Sequence, residues 1–244
     1  MHVRIADTAK QLGADAADKA AEIINASIEK QGFARIVLST GASQFDFIQE
    51  FITRDIAWSK VEMFHLDEYV DLPETHPASF RKYLRERLLA HVAIGEVHLV
   101  SGEGNTAANM QALTNEIRRA PIDLGLIGIG ENAHIAFNDP PADFDSNEAY
   151  KIVELNESCK QQQVREGWFP TIDDVPKVAI TMTVNQIYAC KTIISCVPHA
   201  VKAEAIRRTL EEEVTNEVPA TYLKSHPDWW IYLDNSSASK LKSR

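Results

Sequence analysis

Asp123-Leu-Gly-Leu-Ile-Gly-Ile-Gly-Glu-Asn-Ala-His-Ile-Ala-Phe-Asn-Asp-Pro140 joins an apolar run to a glycine-punctuated loop carrying Glu131, Asn132, His134, Asn138 and Asp139. A buried strand running into such a loop is how an open α/β sheet builds a site at the carboxyl ends of its strands. Two readings fit the polar cluster taken alone. It is a site that sets an imidazole beside carboxylates and amides, or it is a well-capped surface turn, since Asn, Asp and Gly are ordinary turn formers.

On either side of this stretch, apolar runs alternate with segments of helical spacing. Strands are expected at residues 34–39, 61–66, 97–100, 123–128, 150–155, 178–182, 192–197 and 230–234. Helices are expected at 6–31, 44–53, 78–92, 107–119 and 200–212. Alternation of this kind predicts an α/β fold: an open, mostly parallel sheet with helices on both faces, the three-layer Rossmann-like architecture. No Pro/Gly/Ser-rich linker divides the chain, so residues 1–244 read as one domain, with a polar tail from about residue 236 expected to fray.

The chain has 244 residues and 45% apolar content, enough for a sizeable core. A formal net charge of −10 argues against nucleic acid as a partner. It also means that an anionic ligand needs a local cationic pocket. No run approaches the roughly 20 apolar residues of a membrane helix, and the N-terminus lacks the pattern of a secretory signal. Cys159, Cys190 and Cys196 form no CxxC pair and read as reduced, mostly buried thiols of a cytoplasmic protein. No His/Cys cluster has zinc spacing, so no metal is expected. Trp168, Trp229 and Trp230 suit either the core or a homo-oligomer interface.

Three expected strand ends carry reactive residue types, and in an open parallel sheet such ends share one crevice. After the first, Ser39, Thr40, Gly41, Ala42 and Ser43 lead into a helix. Small residues there let backbone N–H groups approach an anion, and Ser43 equally suits a helix N-cap. After the second come Asp67 and Glu68, a candidate general base beside a like charge that raises its pKa, or a solvated acidic loop. His65 alternates with Phe64 and Leu66 and reads as a packing or hydrogen-bonded histidine. After the third, His134 suits proton exchange near neutrality, oriented by Asp139 or Glu131, or is a buried histidine bonded to backbone. Lys202 opens the helix that follows the 192–197 strand and Val197-Pro198. A cation there opposes the helix dipole and is a candidate anion ligand. Lys160 and Arg165 flank Gln161-Gln-Gln163 and are phosphate partners or plain helix-face charges.

Several stretches together resemble the glucosamine-6-phosphate deaminase (isomerase) family, related in fold to 6-phosphogluconolactonases. They are Leu38-Ser-Thr-Gly-Ala-Ser43, Phe64-His-Leu-Asp-Glu-Tyr-Val70 with His76-Pro77, Gly128 through Pro140, Val175-Pro-Lys-Val-Ala-Ile-Thr181, Lys202-Ala203, and Pro219-Ala220 before His226-Pro227. They run in order along nearly the whole chain. His134-Ile-Ala-Phe-Asn138 matches the deaminase side, where lactonases carry Asp-Gly-His-Thr-Ala.

The resemblance implies a phosphorylated amino sugar as substrate and no cofactor. It implies ring opening, proton transfer between C1 and C2, and release of ammonia to give fructose 6-phosphate. By the same resemblance Asp67 is the base, His134 the ring-opening group, and Lys202 with the 40–43 loop the phosphate site. Lys160 or Arg165 is the arginine-like phosphate partner. Members carry an acidic residue where this chain has Asn132, and Glu where it has Asp139, so Glu131 is expected to support His134 in place of Asn132. Ala42 and Ala133 add methyls where members carry glycine. The segment 141–146 does not resemble the basic segment through which some members bind an allosteric sugar, so no such control is expected. The alternatives are a lactonase-type hydrolase and a sugar-phosphate-binding sensor with a degraded site. The single N-terminal helix is too short for a helix-turn-helix.

Overall fold

Runs of β-branched and apolar residues with no polar face have one stable home, the middle of a parallel sheet covered on both sides. The structure, a computed structural model, describes residues 1–242. Along the chain its elements are β1 (His2–Ala6), α1 (Ala9–Gln31), β2 (Ala34–Leu38), α2 (Phe45–Phe51), β3 (Val61–His65), β4 (Asp67–Tyr69), α3 (Phe80–Leu84), β5 (Glu96–His98) and α4 (Thr106–Ile117). They continue with β6 (Leu124–Leu126), β7 (Tyr150–Glu154), α5 (Glu157–Arg165), β8 (Val178–Met182), α6 (Val184–Tyr188), β9 (Thr192–Val197), α7 (Ala203–Glu211) and β10 (Trp229–Asp234). Every residue of β2, β3, β6 and β9 is buried.

Seven strands form one sheet in the order β1-β10-β9-β6-β2-β3-β5, and each neighbouring pair is parallel. From β2 the chain steps outward through β3 to β5. It then returns to β6 and steps the other way through β9 and β10. The loops after β2 and β6 therefore diverge at the centre of the sheet, and such a reversal opens a crevice at the carboxyl ends of the strands. One apolar cluster covers each face. Ile36, Leu38 and Met63 pack with α1 on one side, and Val37, Phe64, Ile127 and Ile193 pack on the other.

The structure corrects the sequence reading at several places. The strands at 150–155 and 178–182 do not join the parallel sheet. With β4 they form a separate three-stranded sheet in the order β4-β8-β7, paired antiparallel. Along β7 buried Tyr150 gives way to half-exposed and exposed positions, and an antiparallel sheet tolerates one solvated face. Tyr150, Ile180 and Met182 still pack in the cluster that holds Phe64 and Ile127, so the two sheets share a core. The edge strand β1 was not foreseen, because its mostly exposed residues carry no burial signal. The helix expected at 78–92 is α3 followed by a π-helical turn, Arg85–Leu89. Helix α1 starts later than expected because the Thr8 hydroxyl caps it, accepting the Gln11 N–H at 3.1 Å.

Residues 236–242 of the tail do not fray. Asp234 Oδ1 accepts the Ser237 N–H at 2.6 Å, Ala238 is fully buried in the core, and the Lys242 N–H reaches Glu211 at 2.8 Å. Residues 243–244 of that tail lie outside the described residues. Cys159, Cys190 and Cys196 are buried and free. Trp229 is core, its indole N–H donating to Ser195 Oγ at 3.1 Å, and Trp230 stacks on His2. No helix among the described residues is long and apolar enough to cross a membrane.

Candidate active site

A cleft opens where the sheet order reverses, at the carboxyl ends of the strands. Loops after β2 and β6, the start of β4, the inner face of α5 and the segment before α7 line it. Of the residues singled out from sequence, Ser39, Thr40, Gly41, Ala42, Ser43, Asp67, His134 and Lys202 border this one space.

The 40–43 loop is held from several sides. Gly41 adopts φ 107°, a conformation that favours glycine. Its carbonyl accepts the Tyr83 hydroxyl at 3.0 Å. Ser39 Oγ accepts the Gly128 N–H at 3.1 Å, tying the loop to the one after β6. Gln44 Nε2 donates to Ser43 Oγ at 2.9 Å and to the Cys196 carbonyl at 3.1 Å. Ser43 makes no N-cap bond to α2, so its hydroxyl belongs to the cleft rather than to a helix end.

Asp67 is 6% exposed and its carboxyl receives no hydrogen bond among the described residues. Burial first, then the neighbouring Glu68 charge, raise its pKa well above the carboxylate range. Glu68 turns away from the cleft, which corrects its assignment as a substrate contact. It accepts the Ser79 hydroxyl at 2.8 Å and the backbone N–H groups of Tyr69 and Arg81 at 3.0 and 2.9 Å, and it pairs with Arg81 Nε at 3.3 Å. Burial raises its pKa, and these donors oppose the rise. His65 is fully buried, and neither ring nitrogen has a hydrogen-bond partner among the described residues. Burial, then the Arg81 charge, lower its pKa to about 3, so it packs as a neutral ring near Phe80.

His134 lies flat against Gly130. A Cβ at that position would sit 2.2–2.5 Å from three ring atoms, so only glycine leaves room for the imidazole. Its Nδ1 is 3.1 Å from Asp139 Oδ1, close in distance but oblique in angle. Asn132 Nδ2 donates to the same carboxylate oxygen at 3.0 Å, and Asn132 Oδ1 accepts the His134 N–H at 3.1 Å. Burial alone would raise the Asp139 pKa. His134, Asn132 and the Asn156 N–H more than reverse that and leave it lowered.

Glu131 does not support the histidine as expected. It pairs with Arg165 at the rim, because the loop turns its side chain outward toward α5. Asn138 is buried behind the loop and donates to the carbonyls of Ile135 and Met182 at 2.9 and 2.8 Å. Ala133 and Ala136 take φ 67° and 52°, left-handed values that cost an alanine roughly 1–2 kcal/mol. The Ala133 methyl is buried in the core and does not border the cleft, whereas Ala42 does.

Lys202 is 5% exposed and borders the cleft, and its ammonium makes no hydrogen bond among the described residues. Burial lowers its pKa, and the charges of Glu166 and Glu131 oppose that. Lys160 does not border the cleft; it pairs with Glu157 at 2.6 Å. Arg165 stays at the mouth on Glu131.

Gln162, Gln163, Glu166 and Trp168, none of them a site candidate from sequence, also border the cleft. Gln162 Oε1 accepts the Glu131 N–H at 3.4 Å and its Nε2 donates to Glu166 at 2.7 Å. The Trp168 indole N–H donates to Glu166 at 3.0 Å. Cys159, Gln162, Gln163 and Glu166 recur at the spacing of one helix face, and that polar stripe was the available signal. Away from the cleft, Glu62, Glu96, His98 and Glu116 bring ligand-type atoms within 4.8 Å of one another. Arg35 and Arg119 already neutralise that group, with Arg35 Nε 2.7 Å from Glu62, so it is an ion-pair network.

A family model described as glucosamine-6-phosphate isomerases/6-phosphogluconolactonase matches residues 7–231. A glucosamine-6-phosphate deaminase of Lactobacillus delbrueckii subsp. bulgaricus is 33% identical over 243 residues, covering 99% of this chain and all of that protein (100%). One from Streptococcus pneumoniae is 35% identical over 212 residues, covering 86% of this chain and 88% of that one. The solved structure of a monomeric glucosamine-6-phosphate deaminase superposes with a TM-score of 0.88 at 30% identity, over 98% of this chain and 99% of that one. A 6-phosphogluconolactonase from Thermotoga maritima shares the fold, with a TM-score of 0.79 at 14% identity over 96% of this chain and 99% of its own. With the strand-end cleft, its buried carboxyl and its glycine-backed imidazole, these matches show that the chain belongs to the glucosamine-6-phosphate isomerase/6-phosphogluconolactonase family.

Proposed function

We propose that this protein isomerises and deaminates an amino-sugar 6-phosphate, with glucosamine 6-phosphate as the preferred substrate, giving fructose 6-phosphate and ammonia. The observation that carries the reading is the convergence of Asp67, His134 and Lys202 on one cleft beside the 40–43 loop. Lys202 and the loop hydroxyls and N–H groups hold the phosphate. Arg165, now on Glu131 at the mouth, is the second cation available to it. His134 exchanges a proton with the ring oxygen as the pyranose opens, and Asp139 stabilises the imidazolium that forms.

Asp67 then takes the proton from C2 of the open chain, leaving an enolamine, and returns it to C1. The product is an imine at C2, and water adds there to expel ammonia. Substrate and one water thus balance fructose 6-phosphate and ammonia. A carboxylate performing this transfer works best with a pKa near the working pH, which is the direction in which burial moves Asp67. The core shared by the two sheets supports a single domain, and the free buried thiols support a cytoplasmic setting.

The test is to incubate the protein with glucosamine 6-phosphate and measure ammonia and fructose 6-phosphate, with galactosamine 6-phosphate and 6-phosphogluconolactone in parallel. Ammonia release from the gluco amino sugar that disappears in Asp67→Asn supports the proposal. Hydrolysis of the lactone without ammonia release overturns it.

A further inference from the structure

Helix α5 presents an inward face that is polar. Cys159, Gln162 and Gln163 are its buried residues, and Glu166 follows one turn on. A helix that packs on a core normally turns an apolar stripe inward. Here Gln162, Gln163 and Glu166 border the cleft, and the two amides differ in one respect. Gln162 is engaged at both ends, by the Glu131 N–H and by Glu166. Gln163 is 6% exposed, borders the cleft, and its carboxamide makes no hydrogen bond among the described residues. Its amide, held by no protein group, is open to whatever occupies the cleft.

We infer that the Gln163 carboxamide binds a hydroxyl in the middle of the substrate's carbon chain and helps to set which hydroxyl configuration the cleft accepts. The inference rests on the sugar-phosphate reading of the site. On that reading Lys202 and the 40–43 loop engage the anionic end, and Asp67 and His134 engage the reacting end. The stretch between them carries neutral hydroxyls. A hydroxyl both donates and accepts, and a carboxamide, with two donor hydrogens and an acceptor oxygen, is its neutral complement. A charged group there would favour the phosphate or the amine instead.

The experiment is calorimetric binding of three unreactive probes, glucitol 6-phosphate, galactitol 6-phosphate and inorganic phosphate, to the wild type, Gln163→Leu and Gln163→Glu. The expected result for Gln163→Leu is about a tenfold weaker glucitol 6-phosphate, the size of one lost hydrogen bond, with inorganic phosphate unchanged. The preference between the two hexitol phosphates should shrink with it. Gln163→Glu keeps the size and loses the donors, so it reads the same contact should the leucine variant fail to fold. Unchanged binding of glucitol 6-phosphate to a folded variant overturns the inference. So does an equal loss of both hexitol phosphates and inorganic phosphate, which marks a damaged cleft. A wild-type protein that binds none of the probes overturns the proposed function, and this inference with it.

Discussion

Asp139 Oδ1 lies 3.1 Å from His134 Nδ1 and accepts the Asn132 side-chain N–H at 3.0 Å. Asn132, which carries no charge, therefore acts by holding the carboxylate that does, while its own oxygen holds the His134 backbone. The imidazole stands between Asp139 and the cleft, so a proton taken up from the cleft side meets a negative charge on the far side. The arrangement needs no acidic residue at position 132.

Replacing Asp139 by Asn should lower kcat/KM for the amino-sugar phosphate by roughly 10²-fold, at the low end of what acid–base help contributes. The Asp139 pKa is lowered below 3.8 in the fold, so its stabilising contribution is complete above pH 3.8 and is lost as pH falls through the folded value. Melting curves of wild type and variant should diverge above that pH and converge in stronger acid. Equal turnover by the two would remove Asp139 from the mechanism.

Asp67 has the opposite sign. Its folded pKa lies above 3.8, so the fold binds its proton more tightly than the unfolded chain does. Stability then declines as pH rises from 3.8 through the folded pKa and levels off beyond it. Asp67→Asn should abolish turnover and yet raise the melting temperature at pH 8, with the gain vanishing in acid. A gain of roughly 1–2 kcal/mol is typical where activity is bought with a destabilised site. It corresponds to about 2–4 °C per kcal/mol in a chain of this size. A thermal-shift series across pH checks both parts.

Gly130→Ala should leave the fold largely intact and damage catalysis. The new methyl would fall 2.2–2.5 Å from the His134 ring, which must then rotate away from Asp139. Misplacing a reacting group by about 1 Å can cost 10²-fold, so a fall of that order in kcat with a small change in melting temperature is expected. A ring seen unmoved in a crystal structure of the variant would contradict the account.

Lys202→Gln should weaken the phosphate end. Loss of a hydrogen bond to a charged group is worth ~1.5–3 kcal/mol, which corresponds to a KM raised about 10- to 100-fold. Inhibition by inorganic phosphate should weaken by the same factor. The lysine pKa is lowered from 10.5, so the wild-type KM should begin to climb on the alkaline side at a pH below that value. The variant should lack this limb.

Glu68→Ala should act on stability. It leaves Arg81, a buried guanidinium, without its innermost partner and removes the acceptor from the start of α3. Breaking one side of a buried pair costs about 3–5 kcal/mol, and chemical denaturation would measure it.

The apolar runs 34–39, 61–66 and 192–197 were legible because burial on both faces leaves no periodicity to misread. As parallel strands they bring the reactive residues just beyond them to one sheet edge, and Asp67 and Lys202 border one cleft there, together with His134 from the loop after the 123–128 strand. Strands β7 and β8 were visible as strands but not by their sheet, because pairing partners are set across long stretches of chain. The final turn was misread from its polarity, since a frayed end and one folded back on Asp234 have the same composition.

The sequence by itself determined that this is an α/β chain with polar and reactive residue types at its strand ends, and its resemblance to the deaminase family singled out Asp67, His134 and Lys202 among them. The strands and their reactive ends follow from local patterns: burial runs, glycine at turns, and residue types adjacent to strand ends. Only the tertiary structure decided that Asp139 and not Glu131 backs His134, that Glu68 holds α3 rather than substrate, and that Gln163 faces the cleft with its amide free. Each depends on the direction in which a side chain leaves a loop or a helix, and packing from distant parts of the chain sets that direction.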